Sequence, residues 1–321
     1  MRVLITGGAG FIGSHLAERA LRDGWQVRVL DNLSTGRREN LADLEVDFVE
    51  GDICDERLVR EVTQGCDLVC HLAAVVGVPV VLKDVLGALR SNVRGTEVVL
   101  EAAAELGVRV CLASSSEVYG RSDRQPLRED DASLLGPTRV PRWSYAVAKI
   151  VDEYLAQAYH AQRELPVSIV RYSNAYGPRA NLTGYASVVA IMIAQALRGD
   201  PITVHGDGSQ TRCFTYVTDM VEGTWRAATM DAAVGGVFNL AQPAEISIRD
   251  LAERIRDAAG SSSGIVRVPY ETIYGHNFSD VPRRVPDVSR AADVLRFRAA
   301  VSLEDGLRAT IDWFREHHDK L

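Results

Sequence analysis

The tightest constraint on this chain lies between Arg2 and Asp31. A short apolar run, Val3-Leu4-Ile5, leads directly into Thr6-Gly7-Gly8-Ala9-Gly10-Phe11-Ile12-Gly13, and an amphipathic segment comes next. Glycines at positions 7, 10 and 13 suit a strand-to-helix turn. They allow a sharp bend, a close backbone approach to a ligand, and close packing of helix on strand. A second apolar run ends on Asp31, about 20 residues beyond the loop. Together these features predict a βαβ unit whose helix N-terminus, with its unsatisfied N–H groups, receives a pyrophosphate.

Asp31 narrows the ligand. A carboxylate there accepts hydrogen bonds from both ribose hydroxyls and repels a 2′-phosphate, which favours NAD over NADP. Arg37 and Arg38 lie close behind it and leave some NADP use open.

The rest of the first half keeps the same rhythm. Strands are expected at 3–5, 27–30, 47–49, 68–71, 110–113 and 168–171, and helices at 14–22, 56–63, 93–106 and 145–162. Such alternation reads as a parallel, doubly wound sheet covered on both faces. After Gly177-Pro178 the rhythm breaks. The expected elements there are a helix at 186–198, a strand at 202–205, a turn at 206–208, a helix at 219–229, a strand at 237–240 and helices at 248–259 and 303–317. The fold class expected is α/β: a Rossmann-type NAD-binding domain over residues 1–177, to which some later segments return, and a smaller α/β substrate domain mainly over 178–321. No linker separates them, so a shared cleft is expected.

Charge and composition exclude several classes. The net charge is −7, with acidic and basic residues interspersed, which argues against nucleic acid or an anionic membrane as partner. Five cysteines without paired motif spacing do not suggest a disulfide framework, and Cys70, within Leu68-Val69-Cys70, reads as a buried thiol. The seven histidines form no metal-binding pair, so no metal is expected. The chain opens on a strand, and its longest apolar stretch, 186–197, is about half a membrane span. A cytoplasmic protein is the expectation.

Chemistry enters with Tyr145 and Lys149, four residues apart on an expected helix and therefore on one face. A free phenol, with a pKa near 10, is a poor base at neutral pH. A neighbouring ammonium favours the phenolate and brings it towards acid–base range. Upstream, Ala113-Ser114-Ser115-Ser116-Glu117-Val118-Tyr119-Gly120 lies at a strand end, where open α/β sheets bind ligands. A serine there can orient a substrate hydroxyl for loss of hydride.

With these residues in hand, the chain resembles the extended short-chain dehydrogenase/reductase family, in its nucleotide-sugar epimerase, dehydratase and decarboxylase branch. The likeness runs through the glycine loop, Asp31, Gly51-Asp52-Ile53, His71-Leu72-Ala73-Ala74, Ser114 to Gly120, Tyr145 to Lys149, Arg171 to Arg179 and Gly206 to Phe214. The resemblance implies that Gly7, Gly10, Phe11, Ile12, Gly13, Asp31 and Asn32 hold NAD. It adds Asp52, Ile53, Leu72, Ala73, Ala74, Tyr145, Lys149 and Tyr172 to that set. Catalytic roles fall to Tyr145, Lys149, Ser115, Ser116 and Glu117. Substrate contacts fall to Asn174, Val188, Thr203, His205, Arg212 and Arg284, with Arg212 on the diphosphate. It also implies a UDP-sugar substrate, a transient 4-ketone and a homodimer.

The fate of the 4-ketone turns on Glu117 and Arg284. Glu117 and Ser116 resemble the decarboxylases, whereas 4,6-dehydratases usually carry aspartate at the position of Ser116. The segment 274–287, with Arg284, also resembles the decarboxylases. Asn174 and Asn181 depart from the UDP-glucuronate 4-epimerases, which place threonine and arginine there. The sequence reading leads with a nucleotide-sugar 4-epimerase. It keeps a UDP-glucuronate decarboxylase and a 4,6- or 5,6-dehydratase as alternatives within the branch, and a non-catalytic NAD sensor as one outside it.

Overall fold

The computed structural model describes residues 1–182, 187–270, 272 and 280–317. Residue 186 of the expected helix and residues 274–279 of the decarboxylase-like segment lie outside the described residues.

The first half builds β1 (Arg2–Thr6), α1 (Phe11–Arg22), β2 (Gln26–Asp31), β3 (Val46–Glu50), α2 (Glu56–Thr63), β4 (Leu68–His71), α3 (Val78–Lys83) and α4 (Val85–Leu106). It continues with β5 (Arg109–Ser115), α5 (Ser144–Arg163) and β6 (Val167–Tyr172). Beyond it come β7 (Ala175–Tyr176), α6 (Val188–Arg198), β8 (Ile202–His205), β9 (Thr211–Cys213), β10 (Thr215–Tyr216), α7 (Val217–Thr229) and β11 (Val237–Leu240). The chain ends with β12 (Glu245–Ser247), α8 (Ile248–Ala258), β13 (Ile265–Val268), β14 (Arg283–Arg284), α9 (Ser289–Val294) and α10 (Leu303–Glu316).

A seven-stranded sheet runs in the order β11-β6-β5-β4-β1-β2-β3, with every pairing parallel. The chain starts in the middle, winds to one edge, then returns and winds to the other. That reversal opens a crevice at the carboxyl ends of the central strands. The strands are apolar on both faces, as a doubly covered sheet requires. Val3 and Ile5 pack with Leu16, Val29, Val221 and Trp225 under α1 and α7. Leu4, one residue out of phase, packs with Leu30, Val69, Val99 and Leu112 under α2, α4 and α5. The later elements α7 and β11 thus belong to the sheet layer.

A smaller lobe packs α6, α8 and α10 around Met192, Ile193, Val204, Leu251, Ile255 and Phe314. Its strands pair locally, β13 with β8, and β12 and β14 on either side of β9.

The helix expected from residue 93 begins at Val85 instead. Asp84 caps it, its carboxylate accepting from the Gly87 N–H at 2.9 Å. Gly87, in its first turn, obscured that start, since a glycine costs about 1 kcal/mol of helix propensity. Gly95 is required by a close approach: a Cβ there would lie 2.2 Å from the Ile53 side chain. The elements that sequence reading passed over, among them α3, β7, β9, β10, β12 and β14, are six residues or fewer and too short for a hydrophobic period to register.

Candidate active site

One cleft gathers most of the expected residues at the carboxyl ends of β1, β2, β5 and β6. The glycine loop forms its floor. Gly7 has φ +72°, and a Cβ on it would lie 2.8 Å from the backbone N of Ala73. A Cβ on Gly13 would lie 2.2 Å from the Gly7 carbonyl oxygen. Phe11 and Ile12 begin α1 and line the cleft with Gly10. The loop is therefore closed against its own backbone and leaves the helix end open, as a pyrophosphate site requires.

Asp31, at the end of β2, fixes this loop. Its Oδ2 accepts from the Ala9 N–H at 3.0 Å and its Oδ1 from the Leu33 N–H at 2.8 Å. Burial raises its pKa above the ordinary value, and these two N–H groups offset that only in part. A carboxylate has about four acceptor directions, so two remain for ribose hydroxyls. Asn32, Ile53, Leu72, Ala73, Ala74 and Tyr172 line the same cleft. The Tyr172 hydroxyl is engaged by Thr224 at 2.9 Å. Asp52 sits just behind this wall, its carboxylate accepting from Asn32 Nδ2 at 3.1 Å and the Cys54 N–H at 2.8 Å. It acts on Asn32 rather than lining the cleft.

Tyr145 and Lys149 share one face of α5 and both line the cleft. The Lys149 ammonium is buried, donating to the Ala113 carbonyl at 3.0 Å and lying 3.2 Å from Asp152 Oδ2. Ser115 ends β5, with its hydroxyl accepting from the Glu117 N–H at 3.2 Å. That bond winds Ser116 to Tyr119 into a short 3₁₀ turn and aims Glu117 into the cleft. Ser116 lines the cleft as well, nearly fully buried.

Glu117 meets two arginines. Arg284 Nη1 lies 2.5 Å from its Oε1, and Arg142 Nη1 lies 3.0 Å from its Oε2. Each arginine's second nitrogen reaches the other oxygen at 3.4 Å. Burial alone would raise the Glu117 pKa, but the two guanidiniums overcome it and hold the carboxyl well below its usual range. Arg284 arrives on β14, which pairs with β9 beside Arg212 and is held from the other side by the Leu127 N–H on the Val285 carbonyl at 2.8 Å. Arg142 sits on the 3₁₀ turn Pro141–Trp143 that opens into α5. Sequence reading missed it. Its only signal was its place three residues before Tyr145, which gains meaning once that turn brings it onto Glu117.

The remaining substrate residues divide. Asn174 lines the cleft, at φ +39°, and donates to the Cys213 carbonyl at 2.9 Å. Val188 begins α6, Thr203 accepts the side chain of Gln195 at 2.9 Å, and His205 ends β8 half-buried. Arg212 pairs with Asp280 at 2.9 Å, and that carboxylate also accepts from the Tyr270 hydroxyl at 3.1 Å. These four stand in the smaller lobe beside the cleft rather than along the wall holding Tyr145. Among the described residues, no cluster of histidine, cysteine and carboxylate could hold a metal, and no helix is long and apolar enough to cross a membrane.

The chain is similar to known proteins over nearly its whole length. The NAD dependent epimerase/dehydratase family matches residues 3–241. A UDP-N-acetyl-alpha-D-glucosaminuronate decarboxylase of Bacillus cytotoxicus is 44% identical over 318 residues, covering 98% of both chains. UDP-glucuronic acid decarboxylase 1 of Xenopus tropicalis is 36% identical over 98% of this chain and 72% of its own. The solved UDP-glucose 4-epimerase of Thermotoga maritima superposes with a TM-score of 0.91 at 30% identity, covering 99% of this chain and 100% of that one. On the family match and on these relatives, the chain belongs to the NAD-dependent epimerase/dehydratase family as an NAD-dependent nucleotide-sugar enzyme.

Proposed function

We propose that the chain decarboxylates a UDP-hexuronate, either the glucuronate or its 2-acetamido counterpart. The observation that carries this reading is the Arg142–Glu117–Arg284 cluster on the wall that holds Ser115 and Tyr145. Two guanidiniums and one carboxylate leave a net positive charge where little water reaches. A neutral hexose offers nothing to balance it, whereas a uronate carboxylate does, and arginine recognises carboxylates in a planar, two-point manner. The decarboxylase relatives support the same reading.

The chain's own residues divide the work. Ser115 orients the C4 hydroxyl and Tyr145 takes its proton, with the Lys149 ammonium favouring the phenolate. The glycine loop and Asp31 would hold NAD, whose contribution there would be to take up the C4 hydrogen as hydride and give it back at the end. The resulting 4-ketone makes the C6 carboxylate part of a β-keto acid. The C5–C6 bond then breaks, CO₂ leaves, and the electron pair enters the C4 carbonyl as an enolate beside the Tyr145 hydroxyl. Solvent supplies the proton added at C5. Glu117 is held ionised, so it is not that donor. Its part is to keep Arg142 and Arg284 together against the departing carboxylate. The net change is one UDP-hexuronate and one proton to one UDP-pentose and CO₂.

This reading differs from the sequence expectation, which led with 4-epimerisation. The difference is Arg142, which doubles the positive charge facing Glu117. The test is CO₂ release and product mass with UDP-glucuronate, UDP-N-acetylglucosaminuronate and UDP-glucose. Either uronate should lose one CO₂, and Tyr145→Phe should slow this by about 10²-fold while NAD stays bound. Epimerisation of UDP-glucose with no CO₂ from either uronate overturns the proposal.

A further inference from the structure

Beneath Lys149 lies a carboxylate that the proposed reaction does not use. Asp152 is on α5, three residues after Lys149, and is 0% exposed. Among the described residues neither of its oxygens makes a hydrogen bond of full geometry, and its ion-pair partner is Lys149 Nζ at 3.2 Å. A buried carboxylate with so few partners is costly and persists only where its charge is compensated.

Its surroundings form a continuous buried polar row. The Thr6 hydroxyl, at the end of β1, is 2.7 Å from His71 Nδ1, and His71 Nε2 is 3.1 Å from the Thr96 hydroxyl on α4. Burial raises the Asp152 pKa above its ordinary value, and Lys149 and then Thr96 act against this, favouring the charged form. The Thr6 hydroxyl also accepts from the Ala73 N–H at 3.3 Å, on the cleft wall. The row therefore runs from the floor of the cofactor loop to the ammonium below Tyr145.

We infer that Asp152 is the positioning residue for Lys149, holding its ammonium between the Ala113 carbonyl and the face of α5 that carries Tyr145. The inference rests on the roles assigned to Tyr145 and Lys149 but not on which product forms. The other charged groups around the ammonium are accounted for. Glu153 on α5 is bound by Arg171 from β6 at 2.6 Å. His71 from β4 is kept neutral, its pKa lowered to about 3 by burial and by Lys149. Tyr172 from β6 is pushed well up by burial. From β5 the Ala113 carbonyl accepts from the ammonium, and from α4 Thr96 stands against Asp152. Asp152 is thus the one anion that answers Lys149 directly among the described residues.

Neutralising Asp152 has a definite sign. Its negative charge opposes ionisation of the Tyr145 phenol. Without it, the limb of the turnover–pH profile set by that phenol moves to lower pH, by about one pH unit. Asp152→Asn, in the NAD-loaded enzyme, tests this. A role confined to packing would scale the rate at every pH and leave the limbs in place, and that result overturns the inference. A second measurement needs no turnover. Lys149→Met strands the buried carboxylate, so adding Asp152→Asn to it should raise the melting temperature. Equal or lower stability of the double variant overturns the pairing. Tyr145→Phe separates the two readings: full activity there would sink the acid–base assignment, whatever Asp152 does.

Discussion

Replacing Glu117 by glutamine keeps the shape of the side chain and removes its charge. Arg284 and Arg142 are then left facing each other, with side chains 3% and 6% exposed. Breaking a buried ion pair by removing one partner costs about 3–5 kcal/mol. Glu117 itself is 21% exposed and borders the cleft, so water screens part of the effect. The low end, about 3 kcal/mol, is the expectation at pH 7. For a chain of this size that corresponds to a fall of about 5 °C in melting temperature. The pH dependence has a fixed sign. The folded pKa of Glu117 is depressed below its ordinary value of 4.5. Its contribution is therefore complete above about 4.5 and drains away as pH falls from there towards the folded value. Differential scanning calorimetry of both proteins, from pH 7 down to pH 3, reads this directly. The gap between wild type and Glu117→Gln should be largest at pH 7 and should narrow below 4.5. Melting within about 1 °C of wild type at pH 7 would show that the cluster behaves as a screened surface pair, and the electrostatic case for a bound uronate would fail with it.

The geometry carries two further expected outcomes. Gly13→Ala places a Cβ 2.2 Å from the Gly7 carbonyl oxygen, so the loop must open; NAD affinity measured by calorimetry should fall at least about tenfold, and an unchanged Kd would refute the cradle. His71, with its pKa lowered to about 3, is neutral in the fold but takes a proton in the unfolded chain below about 6.5. It withdraws stability as pH falls from 6.5 towards 3, and His71→Gln should flatten that acid limb of the unfolding profile.

The glycine loop, Asp31 and the Tyr145–Lys149 pair were legible because each is a local pattern with a fixed physical meaning. A bend without Cβ atoms, an acid at a strand end and two side chains one helical turn apart need no knowledge of distant residues. The alternation of strand and helix was legible for the same reason, and it predicted a sheet buried on both faces. Reading faltered at the start of α4, expected at residue 93, because Gly87 lies in the first turn of a helix that begins at Val85. Asp52, which the resemblance placed on the cofactor, stands beside Asn32 in the fold and accepts a hydrogen bond from its side chain.

The sequence by itself determined the βαβ cradle, the cofactor class and the shared helix face of Tyr145 and Lys149, because those depend on spacings of a few residues. Only the tertiary structure decided what surrounds them. Glu117, Arg142 and Arg284 span 167 positions of chain between the first and the last, and nothing local connects them. They meet because β14 is clamped between β9 and the segment holding Leu127, while the turn before α5 swings Arg142 in from the other side. A charge cluster of that kind is set by the folding of two lobes onto one another, and its net charge, the property that selects a substrate, exists only once they have closed.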